Sequence, residues 1–446
     1  MPKHKQITFS DLYEEFEQAS SKNKLKMLTD YVDIEEIIPL EVKLTYYKST
    51  GRPPYSLASM LSALIIQKIL SIPTVELLVT FLELSEPLRD FCGFGESVPD
   101  PATFSRFKDK IGPTELKKIL DRLVELTEPY LKELDPFAAS LLVLDTTGLE
   151  VPVRENNPKF FYSLKNQVEK GVPEKPENEI YAMTIAKMPK SAKAAPKAKL
   201  IYTNGHFAYA YTAAVLTDGF GLVRNVLLFE GQKDSLVLKP VMEDFRQHHD
   251  LSRYEFFVGD AGFDSTENFR YLAQDCCLKP VINLNPRNAK GLPEPGLAPD
   301  GVPVCPKNPS LKFKYAGFCK SRNRIKWLCP LSKQGKSGYT CACQVPCTPS
   351  KSGRMVYTYP RDNYRKNTPI PRNSKLWKKI YLLRIAVEQA ISRLKLPLML
   401  GRLTAMDFNT AYCDLVLAAI AQNLVALIAL RAKLNDKVRS LRWLVA

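Results

Sequence analysis

Helical and strand-like segments are segregated along this chain, and that segregation limits the folds open to it. Residues 1 to about 137 alternate amphipathic helical runs with breaks at Gly51-Arg-Pro-Pro and Gly93-Phe-Gly, and carry little strand signal. From Ala138 the pattern changes. Apolar runs at 140–145, 206–216, 222–229, 255–259 and 280–283 read as strands, the second and third joined around Thr217-Asp-Gly, with helices expected from Asp234 and from Ser265. A chain of 446 residues has room for two or three domains. The expected division is a helical domain at 1–137, an α/β core beginning at 138–285, an insertion rich in Pro, Gly, Lys and Cys at 286–373, and a return to the core at 374–446.

Two of the strand runs end in an acid. Ser140-Leu-Leu-Val-Leu-Asp145-Thr-Thr and Tyr254-Glu-Phe-Phe-Val-Gly-Asp260-Ala-Gly-Phe-Asp264-Ser both place an aspartate and turn residues after a buried strand, where an α/β sheet collects its chemistry. A lone aspartate there more commonly serves a turn or a helix cap, and Asp264 is read as the cap of the helix from Ser265. A third acid lies in Tyr381-Leu-Leu-Arg384-Ile-Ala-Val-Glu388-Gln-Ala-Ile-Ser-Arg-Leu-Lys395. Treated as one helix with Tyr381 at zero, Arg384, Glu388 and Lys395 fall near about 300°, 340° and 320°. The neighbouring stripe of Leu383, Val387, Ala390, Ile391 and Leu394 would face a core. A solvated face with an i,i+4 pair between Arg384 and Glu388 is the plainer reading of the same stripe. Asp145, Asp260 and Glu388 are separated by 115 and 128 residues, and a sheet with a flanking helix can bring them together.

Charge narrows the partner. The formal net charge is +16, and residues 301–380 hold 18 Lys and Arg against one acid, Asp362, so the remainder is close to neutral. With Tyr357, Tyr359, Tyr364 and Trp377 interleaved, this block reads as a nucleic-acid footprint in preference to a solvated loop or a membrane-surface patch. Lys187 to Lys199 adds five lysines and no acid, as a DNA-contacting loop or a solvated linker. Among ten cysteines, Cys305, Cys319, Cys329, Cys341, Cys343 and Cys347 cluster in the basic block without paired CxxC spacing or a nearby His. A structural Zn²⁺ on four of them and a set of free thiols both remain open. The start shows no apolar targeting run, and Leu415–Leu430, interrupted by Gln422 and Asn423, falls short of the roughly 20 residues of a span. A buried helix, a cytoplasmic location and no membrane partner are expected.

Taken together these motifs resemble the DDE transposases of bacterial insertion sequences, in the subgroup whose third acid lies in Tyr-x2-Arg-x3-Glu-x6-Lys. Tyr381, Arg384, Glu388 and Lys395 fit that spacing, LDTT (144–147) resembles the first-aspartate motif, and GDAGFDS (259–265) the second. GRPPYSLASMLSALIIQ from Gly51 and PDPATFSRFKDKIG from Pro99 resemble the helical domain that precedes the core in many such elements, so the likeness runs from about residue 50 onward. It implies a ribonuclease H-like α/β core with an N-terminal all-helical DNA-binding domain and a Cys-rich basic insertion. Asp145, Asp260 and Glu388 would hold two Mg²⁺ or Mn²⁺ ions about 3.5–4 Å apart. The implied reaction nicks double-stranded DNA at the element's ends, with or without a terminal hairpin, and joins the 3′ ends to a target, from a homodimer in the synaptic complex. Arg384 and Lys395 would clamp phosphates and Tyr381 would contact a terminal phosphate, with Arg361, Arg365 and Lys366 on the DNA backbone. Trp327 and Trp377 are candidates to hold a splayed base. Two alternatives stand: a structure-specific nuclease of the same fold, and a non-catalytic DNA-binding derivative.

Overall fold

The structure, a computed structural model, describes residues 26–47, 54–288, 295–335, 338–372 and 374–444. After short helical turns between Lys26 and Tyr46 come α1 (Leu57–Ile69), α2 (Val75–Leu84) and α3 (Pro101–Leu134). Strand β1 (Leu141–Glu150) is followed by α4 (Pro158–Gly171), α5 (Glu177–Lys187), β2 (Lys199–Thr203), β3 (His206–Thr217) and β4 (Val223–Phe229). Next come α6 (Asp234–His248), β5 (Phe256–Gly259), α7 (Thr266–Gln274) and β6 (Lys279–Ile282). The basic region folds as β7 (Lys314–Cys319), β8 (Arg324–Leu328), β9 (Ser332–Gly335), β10 (Gly338–Cys341) and β11 (Met355–Thr358). Helices α8 (Lys375–Leu382), α9 (Ile385–Lys395) and α10 (Phe408–Arg431) complete the order. The chain is thus mixed α/β with a helical N-terminal region. Of the N-terminal segments interpreted from sequence, residues 1–25 and Gly51-Arg-Pro lie outside the described residues.

The chain divides into two compact units, the first formed by residues up to Leu134, Gly148–Tyr211 and Ile391 onward. Its core is helical. Helix α10 is apolar on every side, and Cys413 through Leu430 are buried, packed on α1 and α3, which is the behaviour of a core helix. Asp407 caps it by accepting from Thr410 N at 2.8 Å. Helix α3 is kinked at Gly112, whose φ of 67° favours glycine and which is followed by Pro113, a good first residue for the resumed helix. One polar contact ties three helices together: Lys68 of α1 and Lys108 of α3 reach Asp414 of α10 at 3.2 and 2.8 Å, all three side chains buried. The same unit holds the β2–β3 hairpin, turned at Asn204-Gly205 with both residues at positive φ, and the pair α4 and α5. The sequence reading anticipates none of β2, α4 and α5.

The second unit comprises Asp135–Thr147 and Thr212–Ala390. The strands that reach into it run in the order β3-β1-β5-β6, with β4 also on β3. Pairs β1–β5 and β5–β6 are parallel, while β3–β4 is antiparallel with an irregularity at Leu216/Thr217. Alternate residues Leu142 and Leu144 of β1, Ala214 and Leu216 of β3, and Phe257 of β5 pack on Val237, Leu238, Val241 and Phe245 of α6 and Phe269 and Leu272 of α7. Asp218 and Arg224 form a buried ion pair at 2.5 Å beneath the β3–β4 turn. Gly219 N donates to Ala138 O, and a Cβ at Gly219 would fall 2.6 Å from that oxygen, so only glycine allows the approach.

The basic region carries its own small core of Cys305, Phe313, Ile325, Trp327 and Cys329 under the sheet β11-β8-β7. Trp327 is buried there with Nε1 donating to Thr358 Oγ1 at 2.9 Å, so it is a packing residue and not a base holder. Asp264 also departs from expectation. Ser265, not Asp264, caps α7, by accepting from Asn268 N at 3.1 Å. Asp264 is fully buried, takes two hydrogen bonds of 2.7 Å from Arg365 and one of 2.6 Å from Asn285 N, and thereby anchors the end of β6 to the basic region.

Candidate active site

Parallel pairing sets two of the acids side by side. Leu144 of β1 is in register with Gly259 of β5, and the next residue on each strand is an aspartate, Asp145 and Asp260. They therefore stand together where the parallel pairing ends, Asp260 at the carboxyl end of β5 and Asp145 midway along β1, which runs on to Glu150 instead of stopping at the acid as expected. Asp260 turns the chain sharply: its Oδ1 accepts from Gly262 N at 2.7 Å and caps the short turn Ala261–Phe263.

A further carboxylate joins them. Asp234, the first residue of α6, accepts from Thr146 Oγ1 at 2.6 Å, directly beside Asp145. A Cβ at Gly262 would lie 2.5 Å from Asp234 Oδ2 and 2.9 Å from Asp260 Oδ1, so both carboxylates border the space that this glycine leaves. Asp234 is absent from the sequence-derived set, although the signal was available: it follows β4 across Gly231-Gln-Lys, an acid after a strand and a turn like the other two.

The crowding shows in the electrostatics. Burial pushes the Asp145 carboxyl up to about 7; the Thr146 N–H and Arg384 pull against that, while Asp260 and Asp234 add to it. Asp260 is raised as well, first by burial and then by Asp234, against the Gly262 N–H and Arg384. These are oxygen donors held close at an energetic cost that a cation relieves.

Residues 381–395 do not form one helix. Helix α8 ends at Leu382 and α9 begins at Ile385, and the link is built from i,i+3 bonds: Leu383 N to Ile380 O, Arg384 N to Tyr381 O, Ala386 N to Leu383 O and Val387 N to Arg384 O. A local tightening of this kind replaces α-helical spacing by 3₁₀ spacing, so the uniform 100° wheel does not apply across it. No Pro or Gly marks the break. Tyr381, Arg384 and Glu388 nevertheless stay together. Arg384 Nη2 donates to Glu388 Oε1 at 2.5 Å, Nη1 stands 3.5 Å from Asp145 Oδ2, and the guanidinium lies 5.9 Å from the Tyr381 ring centre. Burial would lower the Arg384 pKa, but Glu388, Tyr381 and Asp145 outweigh it and hold it above its ordinary value. Tyr381 stacks on buried Trp377 with ring centres 4.6 Å apart, which makes Trp377 a packing partner.

Lys395 belongs to the first unit. Its Nζ donates to Asn204 Oδ1 at 2.7 Å in the β2–β3 turn, and burial lowers its pKa against the pull of Glu150. Among the expected DNA contacts, Arg361 is exposed, with its guanidinium 5.0 Å from the Tyr359 ring centre. Lys366 is half-buried, and its backbone and Cβ border Gly301. Arg365 is committed to Asp264 with 13% of its side chain exposed, so its charge is spent inside the fold.

Among the described residues no group of three or more His, Cys, Asp or Glu side chains stands ready to hold one ion. For the cysteines this leaves the zinc expectation without support. Cys305 and Cys329 lie in the small apolar core, Cys319 Sγ meets Ser321 Oγ at 3.4 Å, Cys343 Sγ donates to Val345 O at 3.2 Å, and Cys341 and Cys347 are partly exposed free thiols. For the acids, Arg384 stands where it separates Glu388 from Asp145, while Asp145 and Asp260 remain paired. Their all-oxygen chemistry fits Mg²⁺ or Mn²⁺ and not a soft-ligand ion.

Fold and site together define a mixed α/β protein whose acids meet at one end of a parallel strand pair, under one arginine. Comparison with known families then identifies it: residues 139–424 match a Transposase DDE domain and residues 13–110 a Transposase domain (DUF772). The chain belongs to the DDE transposases of insertion sequences. It is therefore a DNA transposase in general terms, with the polynucleotidyl transfer or nuclease activity, the DNA substrates and the use of divalent metals such as Mg²⁺ that characterise the family. A search of curated proteins returned no match.

Proposed function

We propose that this protein cuts DNA at the ends of its own element and transfers the 3′ ends to a target, with Asp145, Asp260 and Glu388 as the catalytic acids. The observation that carries the reading is the register of β1 and β5, which sets Asp145 and Asp260 next to each other with Arg384 reaching from the same region to Glu388. The strand order β4-β3-β1-β5-β6, with its antiparallel β3–β4 pair and its parallel β1–β5 and β5–β6 pairs, supports a ribonuclease H-like core. The Tyr-x2-Arg-x3-Glu-x6-Lys spacing supports the insertion-sequence subgroup.

Asp145 and Asp260 would hold divalent metal, joined by Glu388 once Arg384 turns from it toward a DNA phosphate. Bound there, the metal supplies Lewis-acid activation of water or a 3′-hydroxyl and stabilisation of the departing oxygen. The protein's own groups do the rest. Arg384 binds a non-bridging phosphate oxygen with its planar fork, Tyr381, held by Trp377, presents its hydroxyl to a neighbouring phosphate, and Lys395 contacts DNA backbone. Arg361 and Lys366 add sequence-independent attraction. We assign end recognition to residues 1–137 and the interruption of the core to 286–373, and place a homodimer in the synaptic complex.

The test is a labelled duplex carrying the inverted repeat that flanks the coding region, incubated with Mg²⁺, with Mn²⁺ or with EDTA. Cleavage at the repeat's edge and joining to a second duplex, both abolished by EDTA, are expected. Cleavage that follows branched structure instead of the repeat would favour a structure-specific nuclease.

A further inference from the structure

We infer that Asp234 is a positioning residue of the cation site, a third aspartate that fixes the Asp145 end of the site and raises its affinity for divalent metal. This rests on the reading of Asp145 and Asp260 as metal-holding acids.

Asp234 is linked to both. Its Oδ1 is held at 2.6 Å by the hydroxyl of Thr146, whose own backbone N–H donates to Asp145 Oδ1 at 2.8 Å, so one residue couples the two carboxylates. Its Oδ2 faces the space beside Gly262 that Asp260 Oδ1 also borders, and a side chain larger than hydrogen at 262 would close that space. Position is set by the fold: α6 packs its Val237, Leu238 and Val241 into the main core, leaving its first residue at the edge of the strand ends. The cation paired with Asp145 is Arg384, which divides itself between Asp145 and Glu388. Asp234 makes its hydrogen bond to a neutral hydroxyl, so its charge is left to act on the space it borders. A carboxylate that orients the neighbours of metal-holding groups and adds negative charge strengthens metal binding, and losing such a partner typically costs about 10–100-fold in affinity.

Asparagine separates this role from a structural one, because Asn at 234 retains an oxygen that accepts from Thr146 while removing the charge. Mn²⁺ alone is titrated calorimetrically into the full-length protein and into Asp234→Asn, Asp145→Asn and Thr146→Val, with circular dichroism and thermal melting as folding controls. The expected result is saturable binding by the parent, loss in Asp145→Asn, and weakening by roughly 10–100-fold in Asp234→Asn with an unchanged melt. Thr146→Val, which keeps every charge and removes the link, should weaken binding less. Parental affinity in a folded Asp234→Asn, with binding lost in Asp145→Asn, overturns this inference and leaves the proposed function standing. Undiminished binding in Asp145→Asn, or no binding by the parent, overturns both. Should Asp234→Asn fail to fold, parental Mn²⁺ affinity in Thr146→Val overturns the coupling on which the inference depends.

Discussion

Arg384 stands between Asp145 and Glu388, 3.5 Å from Oδ2 of the first and 2.5 Å from Oε1 of the second. One guanidinium thus pairs with two acids that the proposed reaction needs for metal, and in that reaction it would exchange them for phosphate when DNA binds. Arg384→Ala is expected to bind element ends nearly normally and to cleave slowly, with a loss on the order of 10²–10³ in single-turnover rate, the scale of removing one transition-state donor. Arg384→Lys should not restore the rate, since an ammonium lacks the planar fork. Parental cleavage by Arg384→Ala would reduce the pair with Glu388 to an ordinary i,i+4 surface contact.

Asp414 gives a stability prediction in the helical unit. Burial alone would raise its pKa, but Lys68 and Lys108 outweigh it and hold the carboxyl below the usual range. A depressed carboxyl contributes stability that is fully present above its unfolded pKa and is lost as pH falls through the folded value. Asp414→Asn strands two buried ammonium groups and should cost roughly 3–5 kcal/mol at pH 7. The deficit should shrink as pH drops below about 4, where the parent's carboxyl begins to lose that contribution. Urea melts at pH 7 and at acid pH check both; an equal deficit at both pH values would mean that charge is not the cause.

Arg361 and Arg365, four residues apart, should behave in opposite ways. Arg365→Ala leaves buried Asp264 without its bidentate partner and is expected to lower stability by about 3–5 kcal/mol. Arg361→Ala, at an exposed position, should leave the melt unchanged and flatten the slope of log K against log salt by about 0.9 if it neutralises one phosphate. Gel-shift titrations across salt, paired with melts, separate the two; an unchanged slope for Arg361→Ala removes it from the DNA face.

Gly262 is expected to tolerate no side chain. The methyl of Gly262→Ala would fall 2.5 Å from Asp234 Oδ2 and 2.9 Å from Asp260 Oδ1, forcing at least one carboxylate to move. Cleavage should fall while the fold persists, because the displaced groups lie at the strand ends and not in the core. A rate within a factor of about two of the parent's would show that neither carboxylate needs its observed position.

Much of this architecture was legible before the structure, for reasons visible in particular residues. The runs leading to Asp145 and Asp260 announce themselves because Leu141–Leu144 and Phe256–Gly259 are buried and read as unbroken apolar runs, whereas the continuation of β1 to Glu150 is polar and mixed. The elements missed are those whose signals are mixed. Strand β2 is short and half-exposed among lysines, although Asn204-Gly205 is a strong hairpin turn, and α4 and α5 fall between β1 and β2, where only the lysine-rich stretch Lys187 to Lys199 had been singled out. The break between α8 and α9 has no Pro or Gly to reveal it, so Tyr381 and Glu388 were read onto one continuous helix. Asp264 and Arg365 illustrate a further limit: a bidentate pair 101 residues apart leaves no local trace, and the two residues looked separately like a cap and a DNA contact. Asp234 was overlooked because an acid at the start of a helix has a sufficient local explanation in the helix dipole.

The central claim, that Asp145, Asp260 and Glu388 hold the metal for DNA cleavage, is tested most directly by single-turnover cleavage of an end-bearing duplex with Mg²⁺. Asp145→Asn, Asp260→Asn and Glu388→Gln are compared with the parent, and a gel shift on the same duplex controls for binding. Each variant is predicted to bind the end and fail to cut it, since the amide keeps the shape of the side chain and loses its charge. Substantial cleavage by Asp145→Asn or Asp260→Asn would contradict the account of the paired strand-end acids, and cleavage by Glu388→Gln would leave Arg384 paired to a bystander.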